Sequence, residues 1–153
     1  MDIPIVITGS DPDRQITATR IIDAPREKVF KAWTDADHLS RWWGPNGFTN
    51  TFHEFDPHPG GKWRFIMHGP DKKDYPNESI FIKIDPPAFI AFAHISPPRF
   101  QLQGIFEVAP GNKTKLVFKQ IFSTTEECRK IRPFIGDKNE ENLDRLEDEL
   151  RKM

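Results

Sequence analysis

His53 and His58, in the stretch HEFDPH, are the closest pair among five histidines and the first candidates for chemistry. In extended chain that spacing turns the two rings to opposite faces. Neither a cysteine nor a third histidine lies beside them, so no zinc site is expected. The stretch also lacks the H-E-x-x-H order of zinc proteases and is not helical. The single cysteine, Cys128, sits among charges in a helical stretch, as an ordinary surface or half-buried thiol, and no G-x-S-x-G turn is present. Most acidic residues fall in turns or on the outer face of the last helical segment, which argues against a carboxylate pair. Gly60 and Gly61 open a strand rather than a helix, so they form no phosphate cradle. These residues call for no metal and no cofactor, and no catalytic residue is assigned.

Polar residues scattered among inward-facing apolar ones remain: His94 and Gln120, with Glu78 and His68 as further candidates. In AFIAFAHI, His94 shares strand parity with Ile90 and Phe92, which turns its ring inward. The ring is then either a core histidine satisfied by a backbone group, one exposed at the strand's end, or a cavity group that orients a ligand or acts as a base. Thirteen Phe and four Trp against one Tyr suit a core or an oily pocket, because rings without hydroxyls need no buried partner. In RWWGPNGF, Trp42 is expected to anchor a short helix, with Trp43, Gly44 and Pro45 forming a rim beside a cavity mouth. The candidate ligand contacts are Trp43, Trp63, Phe65, Met67, Ile82, Phe92, His94, Phe106, Phe118, Gln120, Leu143 and Leu146. Each aromatic among them also serves as plain core. An empty pocket of ~300 Å³ would forfeit ~7 kcal/mol, so a cavity of that size is expected to be filled by ligand, water or collapsed side chains.

These residues need elements to hold them. QITATRII alternates and is β-branched, which predicts a strand over Gln15 to Ile22. Pro25 opens a short amphipathic helix with Val29, Phe30 and Trp33 on one face, and DADHLSRWW predicts a second that ends at Gly44-Pro45. From Thr49 to Phe122, turn signals punctuate six strands: TNTFHEF, KWRFIMH, SIFIKI, AFIAFAHI, FQLQGIFEV and TKLVFKQIF. Their connections are too short for crossovers, so the strands form an antiparallel meander. Lys115 and Lys119 mark the wet face of the last strand, which puts Leu116, Phe118, Gln120 and Phe122 on the covered one. The helical segment after Ser123 is expected to break at Pro133 and Gly136. The helix beyond carries an inward stripe of Leu143, Leu146 and Leu150 and a solvated face with pairs Glu141 to Arg145 and Glu147 to Arg151.

A chain of 153 residues is most economically one domain, 1–153, with residues 1–13 as an accessory N-terminal strand and 14–150 as the core. Lys plus Arg number 22 against 23 Asp plus Glu, a balance that gives no drive toward nucleic acid or a membrane surface. One cysteine makes no internal disulfide, no leader pattern precedes the domain and no apolar run reaches membrane-span length, so a soluble cytoplasmic protein is expected. Monomer and homodimer both stay open.

TRIIDAPREKVFKAWTDADHLSRWWGPNGFTN, the PGG of Pro59 to Gly61, IKIDPPAFIAF and LDRLEDEL together resemble the START-like SRPBCC superfamily. Within it they are similar to the activator of Hsp90 ATPase homologue branch, in order from about Arg14 to Leu150. The resemblance implies an α+β helix-grip fold of the START/Bet v 1-like kind, a curved antiparallel sheet wrapped around a long C-terminal helix, with two short helices after the first strand. Three functions follow from it: binding of a hydrophobic or aromatic small molecule between sheet and helix, an Hsp90-type chaperone co-factor role in the stress response, or a cyclase- or hydrolase-type enzyme using the same cavity. Two departures bear on this. Lys83 stands where relatives often carry an acid, and the extra N-terminal domain of eukaryotic Hsp90 activators is not expected here.

Overall fold

The computed structural model describes residues 6–7 and 11–153. Its elements are β1 (Gln15–Ile22), α1 (Arg26–Thr34), α2 (Ala36–Trp42), β2 (Thr49–Phe55), β3 (Lys62–His68), β4 (Asp74–Asp85), β5 (Phe89–His94), β6 (Phe100–Ala109), β7 (Lys113–Ile121) and α3 (Thr125–Lys152). The strands make one antiparallel sheet in the order β1-β7-β6-β5-β4-β3-β2. Strands β2 to β7 form the expected meander, and β1 pairs along β7 with Ile16 opposite Gln120 and Ala18 opposite Phe118. Register shifts at Phe52/Glu54 and Phe81/Lys83 interrupt the ladders, and bulges of this kind bend a sheet. This is the helix-grip arrangement of an α+β fold, with α3 lying against the concave face.

Strand parity sorts the side chains as the sequence suggests. Leu116, Phe118, Gln120 and Phe122 are buried, as are Trp63 and Phe65, while Met67 is half-buried. The short helices form for local reasons. Pro25 holds the cap position before α1 with φ −69°, and the Asp35 side chain caps α2 by accepting from the Asp37 N–H at 2.9 Å. Val29, Phe30, Ala32 and Trp33 then close one end of the core. Each large apolar side chain buried there stabilises by roughly 1.5–3 kcal/mol.

Three expectations change. α3 is continuous through Pro133 and Gly136. Pro133 removes one backbone donor, but it lies on the exposed side, where the freed carbonyl is open to solvent. The helix also starts well: the Thr124 hydroxyl accepts from the Glu127 N–H at 3.1 Å. Second, β4 begins at Asp74, inside what the sequence marks as a turn. Residues Asp74 to Asn77 pair only with β3, and an edge stretch tolerates Pro76. Third, Cys128 is fully buried beside Ile16 and Phe122 rather than at the surface. Most of the accessory strand expected over residues 1–13 lies outside the described residues. Within them, the Ile7 N–H donates to Gln101 Oε1 and its carbonyl accepts from Gln103 Nε2, both at 2.9 Å, and Pro12–Arg14 form one 3-10 turn.

Candidate functional site

Between the concave face of the sheet and α3 lies a cavity of about 180 Å³. One strand row crosses its floor, because the register places Trp63 opposite Ser79, Ser79 opposite His94 and His94 opposite Phe100. Phe65, Phe92, Leu102 and Phe118 continue the apolar wall. Ile135, Lys138, Asn139 and Asn142 close it from α3, and Trp43, Gly44 and Pro45 from the α2–β2 loop. The floor is packed rather than hollow. Trp63 and Phe65 stack with centroids 4.3 Å apart, and Trp63 meets Phe92 edge-on at 5.3 Å. Trp63 Nε1 and Ser79 Oγ are sealed beneath it with no hydrogen-bond partner among the described residues.

His94 is held on three sides. Its Nδ1 lies 2.7 Å from the Pro98 carbonyl, its Nε2 lies 2.7 Å from Asn77 Oδ1, and the ring stacks on Phe100 at 4.7 Å. Burial lowers its pKa below the ordinary 6.5, with the backbone contacts at Pro98 and Ser96 acting the other way. It is therefore both a wall residue and a histidine satisfied by backbone. Gln120 joins sheet to helix, its Oε1 accepting from Asn139 Nδ2 at 2.9 Å.

The loop at the cavity is fastened to α3 by a residue that sequence periodicity assigns to the solvated face. Arg145 donates to the carbonyls of Trp43, Gly44 and Pro45 through Nη1 and of Arg41 and Phe48 through Nη2, at 2.9–3.2 Å. Burial pushes its pKa down, as expected for a guanidinium bound only by neutral oxygens. The expected pair with Glu141 does not form, since Glu141 instead accepts from the Asn46 N–H, whereas Glu147 to Arg151 does form at 3.6 Å. Asn142 Oδ1 accepts from the Gly44 N–H. Gly44 has φ +99°, and a Cβ there would stand 2.7 Å from the Met67 methyl, so the loop turns against the cavity wall only with glycine.

Of the twelve candidate contacts, Trp43, Trp63, Phe65, Met67, Phe92, His94, Phe118 and Gln120 come together at the cavity. Ile82, Phe106, Leu143 and Leu146 do not. Ile82 is buried at the β4 bulge, outside the main aromatic cluster. Phe106 packs under α1 against Phe30 and Trp33, each at 5.6 Å, and both leucines are wholly core. Trp43 corrects the rim expectation: it is 8% exposed and meets Trp33, Trp42, Trp63 and Phe92 edge-on at 5.3–6.0 Å. Trp42 does anchor α2, its Nε1–H donating to the Ala32 carbonyl. Glu78 pairs with Arg64 in register on the opposite face, and His68 bonds Thr51 and Asp74 at the exposed strand ends. His53 and His58 are exposed. Periodicity missed Asn139 and Asn142, although with Leu143, Leu146 and Leu150 they complete one helical face.

A wider open cleft of about 520 Å³ lies between α2, β2 and the last turns of α3. Its buried carboxylate, Glu149, is bound by His38 at 2.8 Å and Arg41 at 3.1 Å, and its wall mixes both signs of charge. The smaller cavity has the apolar wall and convergent polar groups that small-molecule sites share.

A model of the family described as activator of Hsp90 ATPase homolog 1-like protein matches residues 23–151. No curated protein matches the chain. Among solved structures, a protein from Nitrosomonas europaea superposes with a TM-score of 0.85 at 16% identity, covering 95% of this chain and 99% of its own. One from Arthrobacter aurescens has a TM-score of 0.84 at 22% identity, covering 98% and 94%. A third, from Silicibacter pomeroyi and itself called AHSA1, has a TM-score of 0.71 at 18% identity, covering 90% and 97%. At such identities these likenesses establish the fold alone.

Proposed function

This chain belongs to the activator of Hsp90 ATPase homolog 1-like family, and from that membership together with the cavity we propose that it binds a small hydrophobic or aromatic molecule between the sheet and α3. The observation that carries the reading is the aromatic wall: Trp43, Trp63, Phe65, Phe92 and Phe118 surround space that the chain leaves unfilled. An engineered cavity of about 150 Å³ takes up benzene, so this one has room for a single ring with a small substituent. Binding without turnover is favoured over catalysis because both His94 nitrogens are already engaged and no other wall residue is a base near neutral pH. The protein acts in this reading as a cytoplasmic carrier or sensor, and no helix among the described residues is long and apolar enough to cross a membrane. Native mass spectrometry of protein purified from its own host tests it. A discrete adduct of small mass, released on denaturation, is expected at one per chain; protein that is adduct-free and takes up no small aromatic compound would count against the reading.

The family description supports a second reading, a co-factor for an Hsp90-type chaperone. It predicts faster ATP hydrolysis by such a chaperone at stoichiometric amounts of this protein. Weak or absent stimulation is expected, and clear stimulation would reverse the order of the two readings.

A further inference from the structure

Three side-chain amides in the cavity wall have hydrogen-bonding ends that the fold does not use. Gln120 on β7 and Asn139 and Asn142 on α3 are each more than nine-tenths buried and line the cavity. Asn142 Oδ1 accepts from a backbone donor, the Gly44 N–H, at 3.1 Å, so its free end is an NH₂ group. Asn139 and Gln120 bond each other at 2.9 Å. Whichever way that pair is turned, one amide contributes NH₂ and the other its carbonyl, which leaves one carbonyl and one NH₂ over. Two NH₂ groups and one carbonyl are thus without a partner among the described residues. Unlike Trp63 Nε1 and Ser79 Oγ, none of them is sealed from water-sized space. They form one patch, since Asn139 touches Gln120 and lies one helical turn from Asn142.

We infer that this patch makes the cavity selective for an uncharged single-ring compound whose polar edge carries both an acceptor and a donor, as a primary aromatic amide does. The inference rests on the proposed reading of the cavity as a small-molecule site. The ligand's carbonyl oxygen accepts from the free NH₂ groups and its NH₂ donates to the free carbonyl, so no buried polar end is left unmatched. A hydrocarbon of equal size strips water from the three amide ends and returns nothing. A carboxylate offers no donor to the carbonyl and must shed its water to enter, while its one counter-charge among the described wall residues, Lys138, is an exposed side chain. An ammonium ion meets two NH₂ groups and Lys138, itself a cation, in the wall.

Calorimetric titration of the whole chain with benzamide, ethylbenzene, benzoate and benzylamine tests this. Benzamide is expected to bind at least about tenfold more tightly than the other three, the worth of two or three neutral hydrogen bonds. In a Gln120→Leu/Asn139→Leu variant, which removes both partners of one bond and leaves no orphan, benzamide should lose most of its advantage over ethylbenzene, keeping only the bond from the Asn142 NH₂, while ethylbenzene holds or gains. If that variant does not fold, the side-chain NH₂ resonances of Gln120 and Asn142 in the native protein give the same answer, shifting with benzamide and not with ethylbenzene. Ethylbenzene or benzoate binding as tightly as benzamide overturns the amide inference while leaving the cavity reading intact. A benzamide preference that survives undiminished in the double variant, or NH₂ resonances that stay unmoved, overturns its assignment to these residues. Failure of all four compounds to bind removes the cavity reading itself.

Discussion

His94 is a buried imidazole, and its proton balance makes a prediction. Because burial lowers its pKa below 6.5, the unfolded chain binds a proton that the folded chain does not in the interval just under pH 6.5. Stability from this residue is present above that pH and is lost as pH falls through the interval. His94→Gln removes the titration, so denaturant unfolding at about pH 7.5 and pH 5.5 should give a smaller difference for the variant than for the native chain; an unchanged difference would place the acid sensitivity elsewhere. Trp43 makes the complementary case. Buried among four edge-on aromatic neighbours, it should cost about 3–5 kcal/mol on Trp43→Ala in equilibrium unfolding, whereas a loss under about 1 kcal/mol would restore it to a rim. Strand parity was enough to turn His94 and Gln120 inward. What parity does not reveal is the partner, because Pro98 and Asn77 reach His94 from other segments.

At the scale of elements, the loop between α2 and β2 depends on α3. Arg145→Met deprives four loop carbonyls and the Arg41 carbonyl at the end of α2 of their donor and should destabilise the fold by about 2–3 kcal/mol, with amide exchange accelerated from Trp43 to Phe48. Arg145→Lys should recover only part of this, since an ammonium lacks the planar fork. Exchange confined to its native rate in both variants would mean that the loop is held by other contacts. Pro133 offers a test in the opposite direction: Pro133→Ala restores a donor inside a continuous helix at an exposed position and should raise stability by about 1–3 kcal/mol in denaturant titration. Each strand of the meander was legible from its alternation and flanking turns. The role of Arg145 was not, because a glutamate four residues earlier is also the signature of a solvated ion pair, and only the folded loop supplies the competing carbonyls. The continuity of α3 was hidden similarly, since a proline in sequence carries no mark of facing water.

For the whole molecule, the fold was nearly complete in the sequence because each hydrophobic period is local: two residues for the strands, three to four for the helices. The cavity is not a local property. It is the space left where Trp43 from a loop, Trp63 and Phe118 from distant strands and Ile135 from α3 fail to meet, and no period encodes a gap. Hence Phe106, Leu143 and Leu146 share the inward parity of the wall residues and yet belong to the core. The central claim, that this gap takes a small aromatic molecule, is tested most directly by methyl NMR during titration with a single-ring compound. Saturable, one-to-one shifts are predicted at the methyls of Met67, Leu102 and Ile135, which border the cavity, with the exposed Ile21 and Val108 unmoved. Shifts that never saturate, or that appear equally at Ile21 and Val108, would contradict it.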